Sequence, residues 1–129
     1  MNIIDSSGWL EYFADGPNAP IFSRPLQNTA ELIVPAITIY EVFKTVLRQC
    51  NESDALQAVA LMLQGSVADL TTSISILSAR ISLEHEMPMA DSIILATARL
   101  YGATVWTQDS DFERIDGVQY IPKKPGGTI

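Results

Sequence analysis

Short apolar runs alternate with helical stretches along this chain, and that alternation confines it to few folds. Asn2 to Asp5, Glu31 to Pro35 and Ala103 to Thr107 read as buried strands, with weaker ones at Ser66–Leu70 and Val118–Ile121. Between them the periodicity predicts helices. Ser6–Ala14 carries Trp9, Leu10 and Phe13 at helical spacing, and Thr38–Cys50 carries the stripe Tyr40, Phe43 and Leu47. Glu52–Gln64 is a further helix. Thr71–Glu86 repeats Ile74, Leu77 and Ile81, and Asp91–Tyr101 ends at Gly102. Asp15-Gly16-Pro17-Asn18 is a breaker, after which Ile21–Gln27 reads as a short, proline-interrupted helix. The tail Pro122–Ile129, rich in proline and glycine, is expected to fray. Strands separated by helices imply a mostly parallel sheet covered on both faces. The expected fold is therefore a three-layer α/β/α sandwich, as one domain over residues 1–129.

Bulk properties narrow the function. A chain 47% hydrophobic and 18% charged is too apolar to be disordered. No apolar run is long enough to span a bilayer, and Met1-Asn2-Ile3-Ile4-Asp5 lacks the basic start of a signal peptide, so a cytoplasmic location without membrane attachment is expected. The single cysteine, Cys50, excludes an internal disulfide and a cysteine-based zinc cage. A formal charge of −7 opposes a broad nucleic-acid-binding surface. That objection weakens if several acids bind metal, or if a local basic rim exists. The same charge would attract a basic protein partner.

The acids have a pattern. Parallel sheets place their sites beyond the carboxyl ends of the strands. Asp5 and Asp109 follow strands there. Asp91 opens a helix that must start at the same edge, and Glu41 lies about two turns into the helix leaving the second strand. Four carboxylates meeting at one edge repel one another unless a cation is present. A divalent-metal site is the first hypothesis, with phosphodiester chemistry the reaction class to test. Each acid also has a plainer reading. Asp5, Asp91 and Asp109 suit helix caps and turns, and Glu41 could pair with Lys44 on a solvated face. Asp111 suits a turn before Phe112, or a place near a metal. Ser6 and Thr107 are short hydroxyls beside candidate ligands, fit to orient a carboxylate. Lys44 and Arg48 follow Glu41 by one and two turns, as contacts to a phosphodiester backbone or as a solvated charged face.

Elsewhere the signals are weaker. His85, the only histidine, sits near a helix end where positive charge is favoured. Cys50 reads as a small buried or helix-end side chain, and no glycine-rich phosphate loop is present.

Four motifs carry a resemblance across nearly the whole chain. They are Ile3-Ile4-Asp5-Ser6-Ser7, Ile39-Tyr40-Glu41-Val42, the stretch Met87-Pro88-Met89-Ala90-Asp91-Ser92-Ile93-Ile94-Leu95-Ala96-Thr97-Ala98, and Thr107-Gln108-Asp109-Ser110-Asp111-Phe112. In this order they resemble the PIN domain family, and within it the toxin half of VapBC-type toxin–antitoxin pairs. The first two motifs are weak alone, while the last two are fairly specific. The resemblance implies an Mg²⁺- or Mn²⁺-dependent endoribonuclease with Asp5, Glu41, Asp91 and Asp109 as catalytic and metal-holding residues. It also implies RNA as substrate, inhibition by a cognate antitoxin, and a homodimer.

Two rivals come from other classes. A phosphoacceptor receiver domain has similar length, a parallel sheet and an acidic Mg²⁺ pocket, and Lys123-Lys124-Pro125 faintly echoes its lysine–proline element. Yet Asp5 has no acidic neighbour, and a receiver would not need Asp91 or Asp109. A catalytically silent acidic binding module is the other. Within the enzyme class, the alternative is a free-standing RNA-processing nuclease without an antitoxin.

Overall fold

The computed structural model describes residues 1–125. Residues 126–129, half of the tail expected to fray, lie outside the described residues. Among the described residues, five short strands alternate with six α-helices. The strands are β1 (Asn2–Ile4), β2 (Leu32–Pro35), β3 (Ser66–Ala68), β4 (Thr104–Thr107) and β5 (Val118–Tyr120). The helices are α1 (Ser6–Phe13), α2 (Ala19–Gln27), α3 (Ala36–Gln49), α4 (Glu52–Met62), α5 (Thr72–His85) and α6 (Met89–Tyr101). The sheet order is β3-β2-β1-β4-β5, and every pairing is parallel. The chain winds outward from β1 through β2 to β3, then crosses back to β4 on the other side of β1. The winding direction therefore reverses between β1 and β4, which opens a crevice at their carboxyl ends.

The period-two alternation of the strands divides the core. Ile3 and Ile33 join Ile74 and Ile81 of α5 and Ile94 of α6 on one face, while Ile4, Leu32 and Val34 join Trp9, Phe22, Val42 and Met62 on the other. Both faces of the sheet are thus covered, as strands separated by helices require. In α6, seven consecutive residues from Ser92 to Ala98 are buried. Their hydroxyls are satisfied locally, Thr97 donating to the Ile93 carbonyl at 2.8 Å and Ser92 to that of Pro88 at 2.8 Å. Gly102 takes φ 64° as the left-handed stop of α6, and β4 begins two residues later.

Two expectations are corrected. The buried face of α3 is not the Tyr40–Phe43–Leu47 stripe. Tyr40 and Leu47 are exposed, while Thr38 and Val42 are buried and Ile39 and Val46 pack beside them. Both sets have helical spacing, so periodicity could not choose. The junction chooses: Pro35 ends β2 and caps α3 with no loop between, and the buried Thr38 hydroxyl bonds the Pro35 carbonyl at 2.6 Å. The segment Ser66–Leu70 is also shorter as a strand, because Asp69 and Leu70 turn out to solvent ahead of the Thr71 cap of α5. The other elements lie within a few residues of their expected places. Cys50 is exposed at the end of α3, and His85 is the last residue of α5.

Candidate metal centre at the carboxyl edge of the sheet

The crevice between β1 and β4 collects the acids. Asp5 follows β1 directly and is almost wholly buried, with 2% of its surface exposed. Three donors hold it: the Ser7 hydroxyl at 2.7 Å, the Gly8 amide at 3.1 Å and the Thr107 hydroxyl at 2.8 Å. Burial raises its pKa to about 6 despite those donors, and the nearby Asp109 charge adds to the rise. Asp5 is also the N-cap of α1. The cap role and the site role therefore coexist, since a carboxylate can serve a helix amide and still face the crevice.

Asp91 lies in the first turn of α6. Burial pushes its carboxyl up to about 8, and the charges of Asp109, Asp5, Asp111 and Glu41 push the same way. Asp109 follows β4. Its side chain accepts from the Asp111 amide at 2.9 Å, capping the short 3₁₀ turn Ser110–Phe112. One carboxylate oxygen from each of Asp91, Asp109 and Asp111 lies within 4.8 Å of the other two. Three acids so close repel strongly, and among the described residues no ion pair to a basic side chain answers them. Among the described residues the ion pairs are Met1 with Glu31 and His85 with Glu84, both elsewhere. A hard divalent cation would be satisfied by this all-oxygen set. The residues present thus fit a metal ion.

Glu41 reaches the same crevice from α3, close enough for its charge to raise Asp91. It lies outside the tight three-acid group and accepts a hydrogen bond from the Ser6 hydroxyl. The four acids expected together are therefore brought to one crevice, with Asp111 closer in than its turn reading implied. The expected hydroxyls are both in use, but differently. Thr107 does orient Asp5. Ser6 holds Glu41, while Ser7 holds Asp5. Ser7 was missed, although the sequence carries a signal: the second residue after a strand-end aspartate can fold back onto its carboxylate as readily as the first. Lys44 and Arg48 are exposed on α3, and the Lys44 ammonium rests 5.5 Å over the Tyr40 ring instead of pairing with Glu41.

A second concavity runs beside the crevice. A groove of about 740 Å³ lies between α1, α3 and α4, lined by Leu10, Phe13, Val46, Ala58 and Leu61, with Glu11 and Asp54 among its polar residues. Trp9, the first of the helically spaced apolar residues of α1, is fully buried in the core, and Tyr40 stands outside the groove.

Comparison with known proteins agrees with this geometry. The PIN domain family model matches residues 3–118. No match is found among curated proteins. Solved structures are similar over nearly their full lengths. A toxin–antitoxin complex from Klebsiella pneumoniae aligns at TM-score 0.77 and 21% identity, covering 92% of this chain and 96% of its own. Mycobacterium tuberculosis VapC20, described as a sarcin–ricin loop cleaving toxin, aligns at 0.77 and 16%, covering 97% and 100%. DNA-bound VapBC from Salmonella typhimurium aligns at 0.73 and 21%, covering 95% and 98%. At these identities the likeness shows the fold, a five-stranded parallel sheet between helices. The family match spans all four acids, which sets aside the receiver-domain reading, and the chain belongs to the PIN domain family.

Proposed function

We propose that this chain is a metal-dependent endoribonuclease, the toxin half of a type II toxin–antitoxin pair acting in the cytoplasm. The observation that carries this reading is the acidic crevice, where Asp91, Asp109 and Asp111 crowd together, Asp91 is pushed up to about 8 by burial and then by its acidic neighbours, and no ion pair among the described residues neutralises them. Asp91, Asp109 and Asp111 would hold Mg²⁺ or Mn²⁺, with Asp5 and Glu41 completing the set. When bound, such a cation lowers the pKa of a water and offsets charge on phosphoryl oxygens. The protein's own part is positional. Ser7 and Thr107 fix Asp5, and Ser6 fixes Glu41, so the carboxylates meet the substrate pre-oriented. Asp91 helps to orient the attacking water. Lys44 and Arg48 lie one and two turns beyond Glu41 and hold the RNA backbone, supplying local positive charge on a chain of net −7.

The α1–α3–α4 groove supports an antitoxin over a free-standing processing nuclease. Its lining is apolar at Leu10, Phe13, Val46 and Leu61 and acidic at Glu11 and Asp54 against the single basic Lys123, which suits an amphipathic segment with basic side chains. That segment would be disordered alone and fold on binding, placing an Arg or Lys against the carboxylates. A homodimer is part of the same reading. A smaller recess between α5 and α6 is lined by Leu70, Ser75, Ser78, Ala79, Met89 and Ile93, with no charged residue, and its small side chains would let a second copy approach closely.

The test is expression of the chain alone and with the product of its neighbouring gene, together with RNA cleavage by the purified protein. Growth arrest relieved by the neighbour, and cleavage that needs Mn²⁺ and stops with chelator, are expected. Normal growth in both cases and intact RNA in Mn²⁺ would leave the acidic crevice without a catalytic role.

A further inference from the structure

Glu11, half-buried at the edge of the groove, forms a polar cluster with the buried Asn18 and Gln108 that the cleavage chemistry above does not use. Gln108 stands between Thr107 and Asp109 and is buried, as is Asn18. The Gln108 side chain accepts from the Asn18 amide at 3.0 Å and donates to a Glu11 carboxylate oxygen at 3.4 Å. Glu11 also accepts from the Asn18 backbone N–H at 2.7 Å, and the Asn18 amide donates to the Pro122 carbonyl at 3.0 Å. These orientations are mutually enforced. Glu11 and the Pro122 carbonyl can only accept, so both amide NH₂ groups must face them. The backbone makes room for the arrangement. A Cβ added at Gly16 would fall 2.4 Å from the Glu11 carboxyl carbon, so glycine there leaves the space that the carboxylate fills. On its other side, the Gln108 backbone N–H donates to the Ser7 hydroxyl at 3.2 Å, and that hydroxyl donates to Asp5 at 2.7 Å.

We propose that Gln108, clamped by Glu11 and Asn18, is a positioning residue that sets the turn carrying Asp109 and, through Ser7, the rotamer of Asp5. This rests on the nuclease reading above for its activity readout, but not for its metal readout. A carboxylate must be held within about 0.5 Å to serve a metal well, and Asp109 lies two residues beyond the end of β4. The turn after β4 is pinned from one side by Thr107, whose hydroxyl accepts from the Asp109 amide at 2.9 Å. The Glu11–Asn18 clamp pins it from the other. The two acids on either side of the β1–β4 crevice are thereby set by one hydrogen-bonded unit.

The experiment measures the Mn²⁺ concentration that gives half of the full rise in melting temperature, with RNA cleavage beside it. Gln108→Glu keeps the shape but sets a second carboxylate against Glu11. It is expected to raise the Mn²⁺ midpoint by roughly tenfold, the lower end of what loss of a ligand's supporting partner costs. The swapped pair Glu11→Gln with Gln108→Glu restores one donor facing one carboxylate and is expected to return the midpoint most of the way. Gly16→Ala displaces Glu11 without altering the 107–109 segment and is expected to shift the midpoint in the same direction. A lowered metal-free melting temperature with an unmoved Mn²⁺ midpoint in Gln108→Glu and Gly16→Ala would overturn the proposal and leave the cluster a purely structural one. If the protein binds Mn²⁺ as stated but cuts no RNA, the nuclease reading fails while this one stands.

Discussion

The Thr107 hydroxyl donates to Asp5 Oδ2 at 2.8 Å across 102 residues of sequence, tying the ends of two neighbouring parallel strands. The bond keeps a buried carboxylate aimed into the crevice where Asp91, Asp109 and Asp111 gather. Asp5 is held by three donors, and Asp91 is raised further than Asp5. The two acids are therefore expected to respond differently to substitution.

Asp91→Asn is expected to lower metal-dependent RNA cleavage on the order of 100-fold or more, the scale of removing one preorganised electrostatic group. Without metal the variant should melt at the same temperature as the parent or slightly higher, because one repelling charge is gone. Asp5→Asn should lose cleavage as well. Here melting should not rise as much, since an amide cannot accept from Ser7, Gly8 and Thr107 as a carboxylate does. Wild-type cleavage by Asp91→Asn would remove Asp91 from the site.

Stability without metal should depend on pH in a defined direction. Asp91 titrates near 3.8 in the unfolded chain and at about 8 in the folded one, and Asp5 at about 6 when folded. Between those values the folded state binds more protons, so stability falls as pH rises from about 4 to about 8. Saturating Mn²⁺ should flatten that slope by replacing the protons. Melting curves at several pH values, in chelator and in Mn²⁺, check this, and a metal-free melting temperature that rises from pH 5 to pH 8 would contradict it.

Mn²⁺ or Mg²⁺ should raise the melting temperature of the parent by mass action. The three-acid geometry ranks the variants. Asp111→Asn should weaken the Mn²⁺ effect more than Glu41→Gln, because Asp111 lies in the tight group and Glu41 stands outside it, held by Ser6. The reverse ranking in thermal-shift titrations would place the ion nearer α3.

The α5–α6 recess should be a self-association face. Ala79→Arg adds a long charged side chain to an uncharged recess and should convert a dimer to a monomer of 14.1 kDa with folding unchanged. Light scattering distinguishes the two states, and an Ala79→Arg protein that remains dimeric would move the interface elsewhere.

The α1–α3–α4 groove should seat the inhibitor. Thr45 lines it, and Thr45→Trp would fill part of its volume. Inhibition by the neighbouring gene product is expected to weaken about tenfold or more, equal to about 1.4 kcal/mol, while cleavage by the chain alone stays unchanged. Unaltered inhibition would exclude the groove.

Sequence alone determined the alternation of strands and helices, the parallel sheet, and the chain order of Asp5, Glu41, Asp91 and Asp109. Those features are local or topological: apolar period separates strand from helix, and a parallel sheet sends every strand end to one edge. Tertiary structure decided what depends on approach at the scale of one hydrogen bond. Tyr40, Phe43 and Leu47 have the spacing of a buried stripe, yet the Pro35 junction turned Thr38 and Val42 inward. Ser6 and Ser7 are equivalent in sequence, and the first turn of α1 sent one to Glu41 and the other to Asp5. Glu11, Asn18 and Gln108 carry no pattern that links them. They meet because the turn through Gly16 folds back beneath the end of β4, and long-range packing of that kind leaves no periodic trace in a single sequence.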